Sequence, residues 1–310
     1  MNVGVTFHNR SHVCASLASE GPRPETTRRA LHNTRIMLVL FAVPLLSAND
    51  PYPLMPGPPL DVGPAGDEVI SRLPSGLPAS FDWLEANPNC TSPILNQRSC
   101  GSCWAFAATG VLADRECVRS GQPVELLSVQ DLLNCDDILG CTMGVLPGHA
   151  WKNLEKKGVA SAKCLPYRFK KEHCTSVCAD GTPAKRLKAT NITHLNGVEA
   201  MMRAVMEGPI DVTFNVHKDF IPYWESHSYV PYEHKHGIFT GLHSVKIVGW
   251  GTHNASGIPY WTVQNSWGEF SGGIPGGASK EGGFFRIRRG SPRRNGECGI
   301  EGLAYAGWPA

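Results

Sequence analysis

Cys103 lies in the stretch NQRSCGSCWAF (96–106), at a point where the chain is suited to carry a nucleophilic thiol. The small and apolar residues at 104–112 predict a buried helix that begins at Cys103. Free N–H groups and the macrodipole at a helix start favour an anion, so we expect a lowered thiol pKa and a reactive thiolate. Gln97, six residues earlier, would bring an amide N–H beside the Cys103 backbone N–H, facing a developing oxyanion.

A thiol nucleophile needs a base, and His243 is the candidate among the twelve histidines of the chain. It lies 140 residues after Cys103, at the head of an apolar strand (GLHSVKIVGWG) from which its ring can reach a cleft. Asn265, in QNSWG, would accept the second ring N–H of His243, and Trp267 would cover that bond from water. A lone buried cysteine would be an inert small hydrophobe. The three side chains together predict a Cys-His-Asn triad.

Helical patterns precede strand patterns along the chain. Helices are predicted at 103–119, at 128–133 with Ser128 as N-cap, and at 147–157, followed by an irregular segment at 160–188. The runs IDVTFNV, HSVKIVGW, PYWTVQNSW and GGFFRIRR, separated by glycine-rich turns, predict strands. This order predicts an α+β fold with a helical N-terminal lobe, a β-rich C-terminal lobe and the active-site cleft between them.

The residues before 77 are predicted to lie outside the catalytic domain at 77–310. The apolar run at 36–46 follows arginines and precedes small residues, and it is shorter than the roughly 20 residues that span a bilayer. Residues 1–48 are therefore interpreted as an N-terminal extension and signal peptide, with Met37 as an alternative start. Residues 49–76 are rich in proline and glycine, which indicates a linker or a short pro-segment.

Cysteine usage indicates an oxidising compartment, because eleven cysteines in 310 residues exceed what a reducing cytosol favours. Three glycosylation triplets, at Asn89, Asn191 and Asn254, agree with secretion. Zinc ligation through Cys100 and Cys103 is the weaker interpretation, since no second C-x-x-C or H-x(3–5)-H pair follows at zinc-site spacing. We therefore predict no metal and no cofactor.

The charge pattern argues against two classes of partner. The formal net charge is only +2 and the charges are interspersed, so nucleic acid is not an expected partner. The short basic cluster near the C terminus (Arg286, Arg288, Arg289, Arg293 and Arg294) is interpreted as a solvated strand and turn. A membrane partner is disfavoured on a different ground, because no apolar run is long enough for a stable membrane span.

The chain resembles the papain family of cysteine proteases and, within it, the cathepsin B group. The C-G-S-C-W core around Cys103 is typical of these enzymes, and the His243 spacing fits them. The likeness runs from about Leu77 to Pro309 and includes SVQDLLNC, GHAWKNLEKKGV, CLPYRF, MEGPIDVTFNVHKDF and the terminal CGIE. It implies a two-lobed thiol peptidase that forms a thioester with protein or peptide substrates. It also implies cystatin-type and epoxysuccinyl inhibitors, and a secreted or lysosome-like location.

The same resemblance implies a disulfide framework that the spacing alone could not select. The implied pairs are Cys90 with Cys117, Cys100 with Cys141, Cys135 with Cys174, and Cys164 with Cys178. Cys103 and Cys298 would then stay unpaired in the mature chain, which is consistent with a free nucleophile.

Departures from the cathepsin B pattern bear on specificity. The insertion with two adjacent histidines that blocks one end of the cathepsin B cleft is absent between Tyr167 and Cys174, which predicts endopeptidase action. Gly144 would offer backbone to an extended substrate, and Met143 would add bulk at a third specificity pocket. Leu303 falls where cathepsin B has a pocket glutamate, which predicts a preference for apolar side chains two residues before the cleaved bond. A glycine-rich stretch after Trp267 is longer than usual, and the pro-segment is shorter than the family's inhibitory propeptides.

Three other functions fit the residues less well. A catalytically silent relative serving as a binding module would be expected to lack the nucleophile, which this chain retains. A thiol–disulfide oxidoreductase using Cys100 and Cys103 would need a thioredoxin-like βαβ pattern, which the flanking sequence lacks. A serine hydrolase is disfavoured because no G-x-S-x-G occurs.

Overall fold

The computed structural model describes residues 52–61, 75–137, 140–142, 144–269 and 282–310. The predicted signal peptide, Met143 and most of the glycine-rich stretch after Trp267 lie outside these residues, as do parts of the 49–76 segment. All described residues belong to one compact unit.

Three of the first four α-helices of the described chain form a helical lobe with their connections. Helix α1 spans Trp83–Ala86, α2 spans Cys103–Ser120, α3 spans Val129–Cys135 and α4 spans Pro147–Lys156. The long helix α2 ends at Gly121, whose φ of 66° lets its N–H bond the Cys117 carbonyl. The Ser128 side chain caps α3 by accepting from the Asp131 N–H, as predicted. Helices α2, α3 and α4 share one apolar core that includes Trp104, Leu133 and Trp151.

The second lobe is built on an antiparallel sheet. In the described part of the chain the strands are β1 Phe81–Asp82, β2 Ala189–Leu195, β3 Ile210–His217, β4 Phe239–Thr252, β5 Pro259–Gln264, β6 Phe284–Arg288 and β7 Ala304–Pro309. Their order is β2-β7-β3-β4-β5-β6, with β1 paired to β4. The α+β prediction is confirmed, and each predicted strand run is present. Two helices that periodicity did not predict, α5 (Val198–Glu207) and α6 (Phe220–Glu225), pack against this sheet.

A buried ion pair joins the two lobes close to the predicted site. Lys246 on β4 donates from Nζ to the carboxylate of Asp114 on α2, and also to Ser92 Oγ at 2.8 Å. Both partners are almost inaccessible to solvent. Removing one member of such a pair leaves an uncompensated charge, so the contact fixes β4 against α2. It thereby holds the strand of His243 against the helix of Cys103.

Four disulfides tie the helical lobe together: Cys90–Cys117, Cys100–Cys141, Cys135–Cys174 and Cys164–Cys178. These are the pairs that the family resemblance implied. Among the described residues Cys103 and Cys298 are free, and both are buried.

Candidate active site

Cys103 is the first residue of helix α2 and is fully buried. Backbone N–H groups of Ser244 and Trp104 favour its thiolate, but burial outweighs them and raises the thiol pKa to about 12. The expected lowering of this pKa is therefore wrong for the conformation described. The helix start still favours the anion, but the loss of hydration around the buried sulfur is the larger effect.

His243 faces this helix from strand β4 and is held by Asn265, which follows β5. The His243 Nε2–H donates to Asn265 Oδ1 at 2.7 Å, and the same oxygen accepts from the Ser266 N–H at 2.8 Å. Trp267 stacks on the imidazole with ring centroids 4.4 Å apart and 20° between the planes. The other nitrogen, His243 Nδ1, is buried and has no hydrogen-bond partner among the described residues. It is thus free to accept a proton.

Burial also sets the charge state of the histidine. It lowers the pKa of His243 to about 4, although the bond to Asn265 acts in the opposite direction. Because the pKa of Cys103 is raised and the pKa of His243 is lowered, both side chains are neutral near pH 7. The described conformation therefore contains an uncharged thiol and imidazole rather than an ion pair.

Gln97 is fixed by hydrogen bonds from its side chain and its backbone in the loop before Cys103. Its Oε1 accepts from Ser266 Oγ at 2.7 Å, and its backbone carbonyl accepts from the Tyr167 hydroxyl at 2.9 Å. The Nε2 group donates to the carbonyls of Cys100 and Pro53, each at 3.0 Å. A carbonyl oxygen of the 49–76 segment thus occupies the donor that was predicted to stabilise an oxyanion.

Residues 52–61 of that segment lie across the site. Tyr52 packs against Trp267 with centroids 4.9 Å apart, and Met55 pairs with Leu242 through two backbone hydrogen bonds of 2.8 Å. Gly144, with φ of 61°, leaves room for the Met55 side chain, since a Cβ there would come within 2.4 Å of Met55 Cγ. The segment accordingly fills the space between β4 and Gly144 and keeps solvent from the thiol.

Asn215 and the C-terminal region hold the far end of the segment. Asn215 Oδ1 accepts from the Leu60 N–H at 2.7 Å, while its Nδ2 donates to the Leu60 carbonyl at 3.0 Å. Arg294 pairs with the Asp61 carboxylate at 2.9 Å, and Asn295 donates to the Asp61 carbonyl at 2.8 Å. Arg294 was noted in the sequence only as part of a basic cluster. Asn215 and Asn295 were not singled out, because a side chain that recognises backbone leaves no pattern along the chain.

The predicted pocket residue Leu303 is half-buried beside β3, and its carbonyl accepts from the Thr213 N–H at 3.1 Å. Glu301 points elsewhere, since its buried carboxylate accepts from Trp261 Nε1 at 3.0 Å and from the Gly290 N–H at 2.8 Å. Gly144 lies opposite Leu242 across Met55. Met143 falls outside the described residues.

A thiol at a helix start, an oriented imidazole and an amide donor on a carbonyl oxygen define a class, the thiol-dependent acyl hydrolases. The model of the papain family cysteine proteases matches residues 77–308, and the chain belongs to that family. It is therefore a cysteine protease, and its substrates are proteins or peptides.

The similar proteins are mainly of the cathepsin B type. Cathepsin B-like CP2 of Giardia intestinalis is 37% identical over 242 residues, covering 75% of this chain and 74% of that protein. Cathepsin B-like cysteine proteinase 3 of Caenorhabditis elegans is 33% identical, covering 88% of this chain and 74% of that protein.

Solved structures agree on the fold. The procathepsin B S9 of Trypanosoma congolense is 32% identical, with a TM-score of 0.63 over 80% of this chain and 83% of that one. The bromelain protease of Ananas comosus in complex with the E64 inhibitor is 28% identical, with a TM-score of 0.58 over 75% and 99% of the two chains. The papain-like, two-lobed architecture is confirmed.

A search of the described residues for helices with the length and apolarity of a membrane span finds none. The same residues hold no group of three or more histidine, cysteine or acidic side chains arranged for a metal ion.

Proposed function

We propose that the chain is the precursor of a cysteine endopeptidase in which Cys103, His243, Asn265 and Gln97 carry the reaction. The observation that supports this most directly is the Pro53 carbonyl on Gln97 Nε2, at 3.0 Å. A donor that already binds a peptide carbonyl beside a buried thiol is arranged to bind the carbonyl of a scissile peptide bond.

The proposed reaction has two stages. In the first, the Cys103 proton passes to His243 Nδ1, and the sulfur attacks the peptide carbonyl carbon to form a C–S bond. The oxyanion receives hydrogen bonds from Gln97 Nε2 and the Cys103 backbone N–H. When it collapses, the C–N bond breaks, and His243 delivers its proton to the leaving amine.

Water completes the second stage. His243 Nδ1 takes a proton from a water molecule, which adds to the thioester carbonyl. Collapse of this second oxyanion breaks the C–S bond, releases the carboxylic acid product, and returns the proton to Cys103. Asn265 holds the imidazole with Nε2–H toward itself, so that Nδ1 remains the basic nitrogen throughout.

We assign residues 52–61 to an inhibitory pro-segment, within a short 49–76 region that precedes the catalytic domain at 77–310. Support comes from the burial of Cys103 and His243 beneath it and from the similarity to a solved procathepsin B. Cleavage between 61 and 77 would release the segment from the cleft and expose both side chains to water. The four disulfides favour an oxidising, secretory compartment.

Two features set the proposed mode of attack. Six residues, 168–173, separate Tyr167 from Cys174, which is too short a stretch for a large insertion across the cleft and supports endopeptidase action. Gly144 and Leu303 are assigned to the residues that precede the cleaved bond. An apolar floor at Leu303 favours an apolar side chain two residues before that bond.

Labelling with an epoxysuccinyl inhibitor tests the proposal. The full chain should be labelled slowly, and the chain cut between residues 61 and 77 should be labelled rapidly, with the added mass on Cys103. The Cys103→Ala variant serves as the unreactive control. Rapid peptide hydrolysis by purified Cys103→Ala, or labelling of another residue alone, would contradict the assignment.

A further inference from the structure

Arg98 directly follows the oxyanion donor Gln97 and has an unusual backbone conformation. Its φ of 55° lies in the left-handed region, where a side chain is disfavoured relative to glycine. The Arg98 N–H donates to Asn96 Oδ1 at 2.8 Å, and Asn96 forms a β-bridge with Trp267. The loop thus holds a permanent cation on the Trp267 side of the cleft.

Phe169 supports the guanidinium from the neighbouring loop. The Arg98 Cζ lies 5.9 Å from the Phe169 ring centroid, and the ring is 50% exposed. Tyr167 contacts the Phe169 ring edge-on at 5.2 Å, and the Tyr167 hydroxyl donates to the Gln97 carbonyl. The arginine and its aromatic support are therefore coupled to the loop that carries Gln97.

The Arg98 guanidinium is exposed to solvent. No carboxylate lies within ion-pair distance of Arg98 among the residues that the structure describes, and the side chain is exposed. Arg168 beside Phe169 is exposed as well, whereas Lys170 pairs with Glu172 at 3.3 Å. The local field is positive, which suits an anionic ligand.

The place of Arg98 relative to the cleaved bond is inferred from the residues assigned to the two ends of the cleft. Gly144 and Leu303 are assigned to the acyl side, and the oxyanion donor marks the scissile carbonyl. Arg98 follows that donor in the loop that Asn96 joins to Trp267, and we place it on the side from which the amine product leaves. A substrate group reaching Arg98 therefore belongs to the first residues after the cleaved bond.

We propose that Arg98, supported by Phe169, is a specificity-determining residue that binds a substrate carboxylate on the leaving-group side. The guanidinium fork matches a carboxylate in two parallel hydrogen bonds, and the aromatic face limits its rotation. The carboxylate can come from an acidic side chain or from a free C terminus. The inference rests on the proposed peptidase activity, and it places a cation on the leaving-group side of a cleft that lacks the histidine-bearing insertion.

Three matched fluorogenic peptides test the inference on the chain activated by cleavage ahead of Leu77. All share an acyl side with Phe two residues before the cleaved bond. One has Glu within the first two leaving-side residues and a C-terminal amide, one has Gln there and an amide, and one has Gln and a free carboxylate. The Glu side chain and the free carboxylate are each placed at the first and then at the second residue after the cleaved bond.

We expect the better carboxylate peptide to exceed the Gln amide in kcat/KM by about fivefold, the scale of an exposed ion pair of about 1 kcal/mol. An advantage for the Glu amide assigns an acidic side chain, and an advantage for the free carboxylate assigns a C terminus. Either advantage should shrink as salt rises, because the contact is exposed.

Variants separate this contact from general charge and from folding. Arg98→Gln and Arg98→Gly should bring the ratio of kcat/KM between the carboxylate peptide and the Gln amide close to one, and Arg98→Gly should not lower Tm because glycine relieves the backbone. Arg168→Gln makes the same charge change one loop away and should retain most of the advantage.

Equal kcat/KM for the three peptides on the unaltered chain would overturn the inference, as would equal losses in Arg98→Gln and Arg168→Gln. Cleavage of none of the peptides would overturn the proposed function, and this inference with it.

Discussion

Two buried cysteines of the described chain each have a histidine nearby, yet their surroundings differ. Cys103 opens an 18-residue helix, near a histidine held by Asn265 and an amide donor from Gln97. Cys298 lies in a short turn, Glu297–Gly299, with φ of 52°, and its Sγ is 3.7 Å from His217 Nδ1.

The Cys298 region lacks what a nucleophile needs. Burial raises the pKa of the Cys298 thiol, and the neighbouring Glu297 carboxylate raises it further. His217 stacks on His234 with centroids 3.8 Å apart, and it is His234 that Asp219 holds. A cysteine–histidine contact is therefore insufficient by itself. The donor for the oxyanion and the partner that orients the base distinguish the Cys103 region.

The largest expected effect is the contrast in kcat between two single variants, in which either Cys103 or Cys298 is replaced by alanine. Cys103→Ala should lower kcat by several orders of magnitude, as loss of a catalytic nucleophile does. Cys298→Ala should retain kcat within about twofold, although loss of buried volume costs some stability. Turnover of fluorogenic peptides by both purified variants checks this contrast. Similar losses in the two would abolish the distinction drawn here.

The amide donor gives the next largest effect. Gln97→Ala should lower kcat/KM by about 10²–10³, the usual cost of an oxyanion donor. Gln264 provides a matched control, because it is also a buried glutamine. Its Nε2 donates to the Ser92 carbonyl at 2.8 Å and not to a carbonyl beside the thiol. Gln264→Ala should lower Tm with little change in kcat/KM. If both variants lost activity in proportion to stability, Gln97 would have no special role.

The free energy of unfolding should fall at acid pH because of His243. Its pKa is about 4 when folded and 6.5 when unfolded, so the unfolded chain binds an extra proton between these values. The contribution is complete above pH 6.5 and is lost as pH falls toward 4, by about 3 kcal/mol at most. Thermal unfolding of the Cys103→Ala full chain from pH 7 to 4 measures it.

A second variant isolates this histidine from the other titrating groups. His243→Phe in the Cys103→Ala background keeps a ring against Trp267 and should flatten the pH dependence. The His217→Phe counterpart should flatten it less, because His217, although its pKa is also lowered to about 4, is partly solvated. An unchanged slope in His243→Phe would show that its proton is not linked to folding.

The sequence was most informative where function depends on residue type at a fixed place. Cys103, His243 and Asn265 were identified by motif, and the structure brings His243 and Asn265 to 2.7 Å. The reactivity of the thiol was not predictable in the same way. Its pKa depends on the burial of the sulfur. Residues 52–61, which lie across the site, are about 45 positions away in the chain and carry no motif.

The fold shows the same division. Periodicity predicted α2 and the strand runs, because each buries a continuous stripe or face. It did not predict the six-residue α6, which is too short to display a period, or the Asn215 contacts to Leu60. Arg98 was visible in the sequence directly after Gln97, but only its positive φ and its place above Phe169 gave it significance.

The smallest expected effect is on substrate preference. It concerns the specificity pocket that the chain segment after Cys298 is proposed to form. Leu303, five residues further on, is proposed to form the floor of the pocket for the residue two before the cleaved bond. Glu301 does not supply an acid there, because its carboxylate is buried and bound to Trp261 Nε1 and the Gly290 N–H. An unpaired guanidinium against an apolar floor is costly, whereas Phe gains transfer energy, of which about 1–3 kcal/mol survives as discrimination. Phe-Arg substrates should therefore be cut at least roughly tenfold faster in kcat/KM than Arg-Arg substrates. Leu303→Glu should recover Arg-Arg cleavage while Cys298→Ala leaves the ratio unchanged, and equal rates on the unaltered enzyme would refute the role of Leu303.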